Sequence, residues 1–184
     1  MSKNELKSLI IFASPNKHGS TADLIKNVEF PSQPEVINIY ELMPRPCIDC
    51  GFCKEEFSCS QPDLKEEYKL IEQADVIFFA FPVYNMSLPS PLKALIERMQ
   101  VYYNAHFVLN IDNPMKKHKK IGLIIVSGSD DEYSKNICVS QIKQAFSVMN
   151  GSIEFTFWRK NTDILPTDIS HYEKLQKMID KIYE

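Results

Sequence analysis

Five short apolar runs rich in β-branched or aromatic residues recur along the chain: LKSLIIFA (6–13), EVINIY (35–40), DVIFFAF (75–81), KIGLIIVS (120–127) and SIEFTFW (152–158). Their spacing predicts five strands. The first, third and fourth are nearly uninterrupted, as in strands covered on both faces of a parallel sheet, whereas the second and fifth alternate and suit its edges. Between them TADLIKNV, LKEEYKLIEQ, PLKALIERMQVYY and YSKNICVSQIKQAFSVMN carry the helical period, and HYEKLQKMIDKIYE closes the chain as a further helix. In the third of these, Leu92, Leu95, Ile96 and Met99 form one apolar stripe, with Ser90 as the expected N-cap and Pro91 as the first helical residue. Asn150-Gly151 offers the left-handed cap that ends the fourth.

Strand and helix alternate from end to end, which predicts an α/β fold: a doubly wound, five-stranded parallel sheet with right-handed crossovers and helices on both faces. Ligands of such sheets sit at the carboxyl ends of the strands. In strand order 2-1-3-4-5 the switch point lies between the first and third strands. One connector, Tyr102 to Lys119, is longer than the usual helix-to-strand loop and is a candidate lid or subunit contact.

A length of 184 residues with 44% hydrophobic composition suits one core, so residues 1–184 are expected to form a single domain. A net charge of -3 gives no footprint for nucleic acid; the one dense basic run, Lys116, Lys117, Lys119 and Lys120 around His118, reads as a solvated connector. Glu5 and Lys7 interrupt the amino-terminal apolar stretch, which argues against a signal peptide or membrane span and for a cytoplasmic location. In that reducing compartment a tight cysteine cluster is metal-binding or catalytic more often than a disulfide framework.

Three loops follow strands at the expected ligand edge. The first is SPNKHGST (14–21), where Ser14, Ser20 and Thr21 offer hydroxyls and Gly19 lets the backbone approach a ligand. A helix N-terminus supplies unpaired N–H groups and about half a positive charge, so this loop reads as a monophosphate cradle. The plainer alternative is an ordinary turn in which Ser20 or Thr21 caps the helix. The second loop, FPVYNMSLPSP (81–91), offers Pro82, Val83, Tyr84 and Asn85 as a stiff wall with backbone N–H groups, and the third is SGSDDEY (127–133).

These residues together, SPNKHGSTADLI, a C-x2-C-x2-C-x5-C run, ADVIFFAFPVYNMSLPSPLKALIER and the later SGS, resemble the NADPH-dependent FMN reductase family of the flavodoxin-like fold, and more closely its iron-sulfur flavoprotein branch. The resemblance covers about the first 130 residues. It implies noncovalent FMN, with the phosphate on Ser14, Asn16, Gly19, Ser20 and Thr21. The ring would lie near Pro82, Val83, Tyr84, Asn85 and Met86 and near Ser127, Gly128 and Ser129. It further implies NAD(P)H as co-substrate and a homodimer or tetramer, with Tyr102, Tyr103 and Phe107 either at the interface or packed within one subunit. Relatives often carry an arginine where Lys17 or His18 stands, so nicotinamide contacts are not carried over. Hydride transfer to a flavin asks little of side chains. No proton-transfer residue is nominated, and Tyr84, the nearest by position, reads first as a packing wall.

Cys47, Cys50, Cys53 and Cys59 share the first three spacings of a ferredoxin run but reach farther to the fourth. Three readings stay open: a 4Fe-4S cluster, zinc, or free thiols in a loop near the flavin, including a redox dithiol. Cys138, between Ile137 and Val139, reads as a buried small hydrophobe. The expected activity is an FMN-dependent NAD(P)H oxidoreductase passing electrons to a small acceptor such as a quinone, a nitro compound or free flavin. The alternatives are an electron carrier with FMN and a cluster serving redox partner proteins, and a non-catalytic binding domain.

Overall fold

The computed structural model describes residues 6–184, and the part of the amino-terminal reading that concerns residues 1–5 lies outside them. β1 (Ser8–Phe12), β2 (Glu35–Asn38), β3 (Val76–Pro82), β4 (Lys119–Val126) and β5 (Gly151–Arg159) form one parallel sheet in the order β2-β1-β3-β4-β5. All seven residues of β3 are buried, and β1 and β4 are nearly so, because helices cover both faces. Edge strand β2 leaves Val36 58% exposed.

The period-two alternation splits the apolar residues between two cores. Leu9, Ile11, Ile77, Phe79, Leu123 and Ile125 face α3 (Lys65–Gln73), α4 (Ser90–Arg98) and α6 (Glu132–Val148), whose Ile71, Leu92, Leu95, Ile142 and Phe146 fill that side. Ile10, Phe78, Ala80, Ile124 and Phe157 face α1 (Ser20–Lys26) and α7 (Ile169–Ile182) through Leu24, Leu175 and Ile179. Cys138 lies fully buried in the first core, and burial pushes its thiol up to about 11.

Several boundaries differ from the sequence reading. The third helical segment is two helices: α4 ends at Arg98 and α5 (Gln100–Phe107) starts after Met99, whose amide bonds Ile96 O at 3.2 Å in a tightened last turn. The connector after it is therefore shorter, running from 108 to 118. α4 begins at Ser90 behind an N-cap at Pro89, so Ser90 lies inside the helix. Asn150, at φ 53, takes the left-handed position after α6, and Gly151 already opens β5. A short helix, α2 (Ile39–Leu42), follows β2, with Asn38 Oδ1 accepting from Tyr40 N at 3.2 Å.

The basic run is not uniformly solvated. Lys119 is fully buried at the start of β4, and its Nζ donates to Glu72 O at 2.7 Å and Ala74 O at 2.5 Å, the end of α3. It closes that helix terminus together with Lys117, whose Nζ donates to Gln73 O at 3.2 Å. Burial lowers its pKa to about 8.

Candidate functional site

The carboxyl ends of β1, β3 and β4 carry the three loops. After β1, Ala13 N still bonds Ala80 O at 2.8 Å, and the chain then turns through exposed Pro15 to His18. Asn16 shapes that turn: its Oδ1 accepts from His18 N at 2.9 Å and its O from Gly19 N at 3.3 Å. Gly19 is the N-cap of α1, and having no side chain it caps nothing. The first N–H to bond within the helix is that of Asp23, to Gly19 O at 2.9 Å, which leaves the amides of Ser20, Thr21 and Ala22 facing outward from the helix end. Neither the Ser20 nor the Thr21 side chain takes the capping role. Lys17 is paired with Glu41 of α2 across the mouth of the loop, and both are exposed.

After β3 the backbone makes a tight hairpin turn. Tyr84 N donates to Ser87 O at 3.1 Å and Ser87 N to Tyr84 O at 3.0 Å, while Asn85 and Met86 both have positive φ, 46° and 61°. Two consecutive positive φ values mark a primed turn, an uncommon conformation for methionine. The wall of donors is thus narrower than the sequence suggests. Pro82 has no N–H, Val83 N is spent on Val126 O at 2.8 Å, and Tyr84 N is spent inside the turn. The amides of Asn85 and Met86 remain unpaired among the described residues, beside the half-exposed side chains of Tyr84 and Met86. Tyr40, in α2, stands near this turn; burial, then the neighbouring Tyr84, raises its phenol pKa.

After β4, Ser127 is occupied. Its Oγ donates to Ser129 O at 2.7 Å and accepts from Trp158 Nε1 at 2.7 Å, while its carbonyl accepts from Thr162 N and Oγ1, each at 3.1 Å. Gly128 lies under Asp163, since a β-carbon there would stand 2.3 Å from Asp163 Oδ2. The segment after β5 therefore packs over the SGS loop and sets its shape.

The cysteine loop hangs from a clasp. Arg98, 1% exposed, sends Nη1 to Arg45 O and Asp63 Oδ1, both at 3.0 Å, and Nη2 to Gln61 O at 2.8 Å. Asp63 Oδ2 accepts from Arg45 N at 2.9 Å, and Gln61 Nε2 donates to Pro46 O at 3.0 Å, so both limbs are tied at the base. Hydrogen bonds from Arg45 N–H and Arg98, with the Arg98 charge, overcome the opposing effect of burial and lower the Asp63 pKa.

Within the loop Cys47 and Cys50 are exposed and Cys53 and Cys59 half-buried. Cys50 Sγ lies 3.1 Å from Ser60 Oγ; that hydrogen bond, then one from Phe52 N–H, holds its thiol below the usual range. Cys53 Sγ accepts from Asn104 Nδ2 of α5 at 3.1 Å. The sulfurs do not converge: among the described residues no three His, Cys, Asp or Glu side chains stand as a metal-holding group. In this conformation the loop does not fit a 4Fe-4S cluster or zinc. The loop leaves α2 and reaches the other end of the sheet at Phe57. Phe57 packs on Tyr102 at 5.7 Å between centroids and lines a groove of about 460 Å³ with Lys7, Gln73 and Lys117, residues at the amino-terminal ends of the strands.

A family model described as NADPH-dependent FMN reductase matches residues 6–155, which include β1 to β4 and all three loops. The chain belongs to that family. As an FMN reductase family member it is an oxidoreductase of the flavin-dependent, NAD(P)H-using kind. An iron-sulfur flavoprotein of Archaeoglobus fulgidus is 25% identical over 152 residues, 76% of this chain and 74% of the relative. An uncharacterized NAD(P)H oxidoreductase of Haemophilus influenzae is 29% identical over 139 residues, 71% of this chain and 69% of the relative. In fold, the chain is similar to an FMN-dependent NADH-azoreductase from Bacillus anthracis solved in complex with FMN, with a TM-score of 0.63 over 97% of this chain and 100% of that one, at 14% identity.

The fold of this FMN reductase relative brings Ser14 to Thr21, Pro82 to Met86 and Ser127 to Ser129 to one edge of the sheet. Three neighbours escaped the sequence reading: Tyr40, Trp158 and Asp163. The chain's single tryptophan, next to the edge-strand pattern, was the available signal for Trp158. Asp163 had none, because only the return of the segment after β5 places it there. Tyr102, considered for an interface, is 1% exposed and donates to Glu72 Oε1 at 2.8 Å, whereas Tyr103 and Phe107 are exposed. Among the described residues no helix is long and apolar enough to cross a membrane.

Proposed function

We propose that residues 1–184 act as one FMN-binding unit that oxidises NAD(P)H and delivers the electrons to a small acceptor of the quinone, nitro or free-flavin type. The observation that carries the reading is the helix N-terminus at Gly19, which no side chain caps among the described residues, facing an edge that also holds unpaired amides at Asn85 and Met86. An uncapped helix end and a preformed turn with outward N–H groups fit a phosphate and a polar ring edge. FMN held there would supply the two-electron chemistry that links the nicotinamide to the acceptor.

The chain's own residues bind and orient. Ser20 and Thr21 hydroxyls and the amides of Ser20, Thr21 and Ala22 hold the phosphate, with Ser14 and Asn16 shaping the loop. Asn85 and Met86 N–H groups would donate to the flavin; Pro82 and Val83 hold the turn at the end of β3, and Tyr84 with Tyr40 would line the pocket beside it. Ser127 acts through the backbone it fixes rather than through its hydroxyl, which Trp158 and Ser129 already engage. Gly128 and Ser129 would then present main chain to the flavin.

The test is the visible spectrum of the purified protein, after incubation with FMN, together with NADH and NADPH oxidation in the presence of a quinone. A bound-flavin spectrum and acceptor-dependent oxidation are expected; failure to bind FMN under any preparation overturns the reading. An electron carrier with a 4Fe-4S cluster is the second reading. Its support is the name of the Archaeoglobus relative and a set of four thiols, and the positions of those thiols here do not favour it. The Cys residues accordingly have no step in the chemistry above.

A further inference from the structure

The segment between β5 and α7, residues 160–168, leaves the sheet at the same edge as the three loops and holds none of the residues assigned to FMN. We infer that its Asp163 lowers the reduction potential of the bound flavin: the carboxylate stands against the main chain of Gly128 and opposes the negative charge that FMN gains on reduction. Gly128 is one of the residues assigned to the flavin, so this role of Asp163 rests on the FMN reading.

Backbone contacts fix the carboxylate in place. Asn161 N donates to Ser129 O at 3.3 Å, and Thr162 N and Oγ1 donate to Ser127 O, each at 3.1 Å, so the segment is stitched to both ends of the SGS loop. Asn161 turns at φ 58, and its carbonyl accepts from Ile164 N at 3.2 Å and Leu165 N at 2.9 Å, closing a compact turn that contains Asp163. Arg159, 2% exposed, sends Nη1 to Lys160 O and Nη2 to Leu165 O at 2.6 Å and Pro166 O at 2.7 Å, which pins both limbs of that turn. Asp163 is thereby set directly on the glycine. A β-carbon at Gly128 would stand 2.3 Å from Asp163 Oδ2, 2.6 Å from its Cγ and 2.8 Å from its Oδ1, so only a residue without a side chain admits it there.

The charge has no partner: Asp163 makes no hydrogen bond or ion pair among the described residues. Other carboxylates of this edge are engaged. Asp131 caps α6 by accepting from Tyr133 N at 3.1 Å and from Ser134 Oγ, and Glu132 pairs with Lys135 at 2.9 Å. Lys135 and Lys160 lie over the Trp158 ring, 5.0 and 5.5 Å from its centroid, and neither pairs with Asp163. Hydride from NAD(P)H carries two electrons and one proton, so FMN gains one net negative charge while the nicotinamide leaves in its oxidised, cationic form. A like charge held nearby disfavours the charged form, and does so less as salt is added. Asp163 thus weakens the hold on reduced flavin relative to oxidised flavin and makes the reduced flavin a readier donor to the acceptor.

The experiment titrates the full chain anaerobically with oxidised FMN and with FMN reduced by dithionite, at low salt and at about 1 M salt, where the Debye length is about 3 Å. The ratio of the two dissociation constants reports the shift in potential on binding, and any change that weakens or tightens both forms alike, such as a shifted loop or a charge acting on the phosphate, cancels in it. Asp163→Asn, nearly isosteric and neutral, is expected to favour reduced FMN in that ratio by about fivefold at low salt, with the gain shrinking at high salt. Asp130→Asn removes an equal charge from the exposed SGS loop itself and should move the ratio by less than about half as much. An unchanged ratio in Asp163→Asn, a change that persists in high salt, or an equal change in Asp130→Asn would overturn the inference and leave the FMN reading standing. Failure of the wild type to bind FMN in either form removes that reading, and the role of Asp163 with it.

Discussion

Lys119 shows how one side chain couples burial, a helix end and pH. Its ammonium is removed from water yet donates to two main-chain oxygens at the end of α3. With a native pKa near 8 against about 10.4 in the unfolded chain, the native state binds fewer protons between those values. Its effect on stability is therefore least favourable below pH 8 and improves as the pH rises toward about 10.4. Urea midpoints across that range should rise more steeply for wild type than for Lys119→Met, which at pH 7 should also lose about 1–3 kcal/mol through the abandoned carbonyls. Ser20 belongs to the same scale. Ser20→Asp places a carboxylate against the proposed phosphate, and one to several kcal/mol of repulsion predicts FMN binding weakened by about tenfold or more, read by flavin titration. Unchanged affinity would remove the phosphate from that helix end. The serine was legible as a ligand candidate from its place after a strand. Its failure to cap α1 was not, because Gly19 and Ser20 compete for one position and only the backbone angles decide.

Among the elements, α4 does more than its apolar stripe announced. The pattern Leu92, Leu95, Ile96 and Met99 located the helix and its buried face, but Arg98 reads in sequence as a surface charge. It is instead the buried pin that holds the cysteine loop, with Asp63 21% exposed on its side chain as the paired carboxylate. Removing one partner of a buried ion pair strands the other. Arg98→Met should cost about 3 kcal/mol in urea unfolding and open 44–63 to limited proteolysis before the rest of the chain. Arg98→Lys should recover little, since an ammonium cannot reproduce the fork that reaches Arg45 O, Gln61 O and Asp63 together. A loop that stays resistant in Arg98→Met would show that its contacts with α5, through Cys53 and Phe57, suffice without the clasp.

At the scale of the molecule, the sheet order gathers three loops at one edge. The single tryptophan reports on that edge, because Trp158 is bonded to Ser127 and flanked by Lys135 at 5.0 Å from its ring. FMN titration should quench its fluorescence, with the midpoint displaced to higher FMN in Ser20→Asp and an unaltered spectrum before addition. Quenching that ignores the Ser20 substitution would place the flavin away from the α1 end.

The sequence by itself determined the strand and helix order, the parallel sheet and the three ligand-edge loops, because burial on two faces writes itself as continuous apolar runs and helix faces write themselves as periodic ones. Residue types at strand ends also pointed to flavin chemistry. What only the tertiary structure decided are the matters that depend on partners distant in sequence: which amides of the PVYNMS turn remain free once Val83 meets Val126, which hydroxyl of the SGS loop Trp158 consumes, and where the cysteines face. Hydrogen-bond donors are spent or spared by contacts the chain makes only when folded, and no local pattern records that choice.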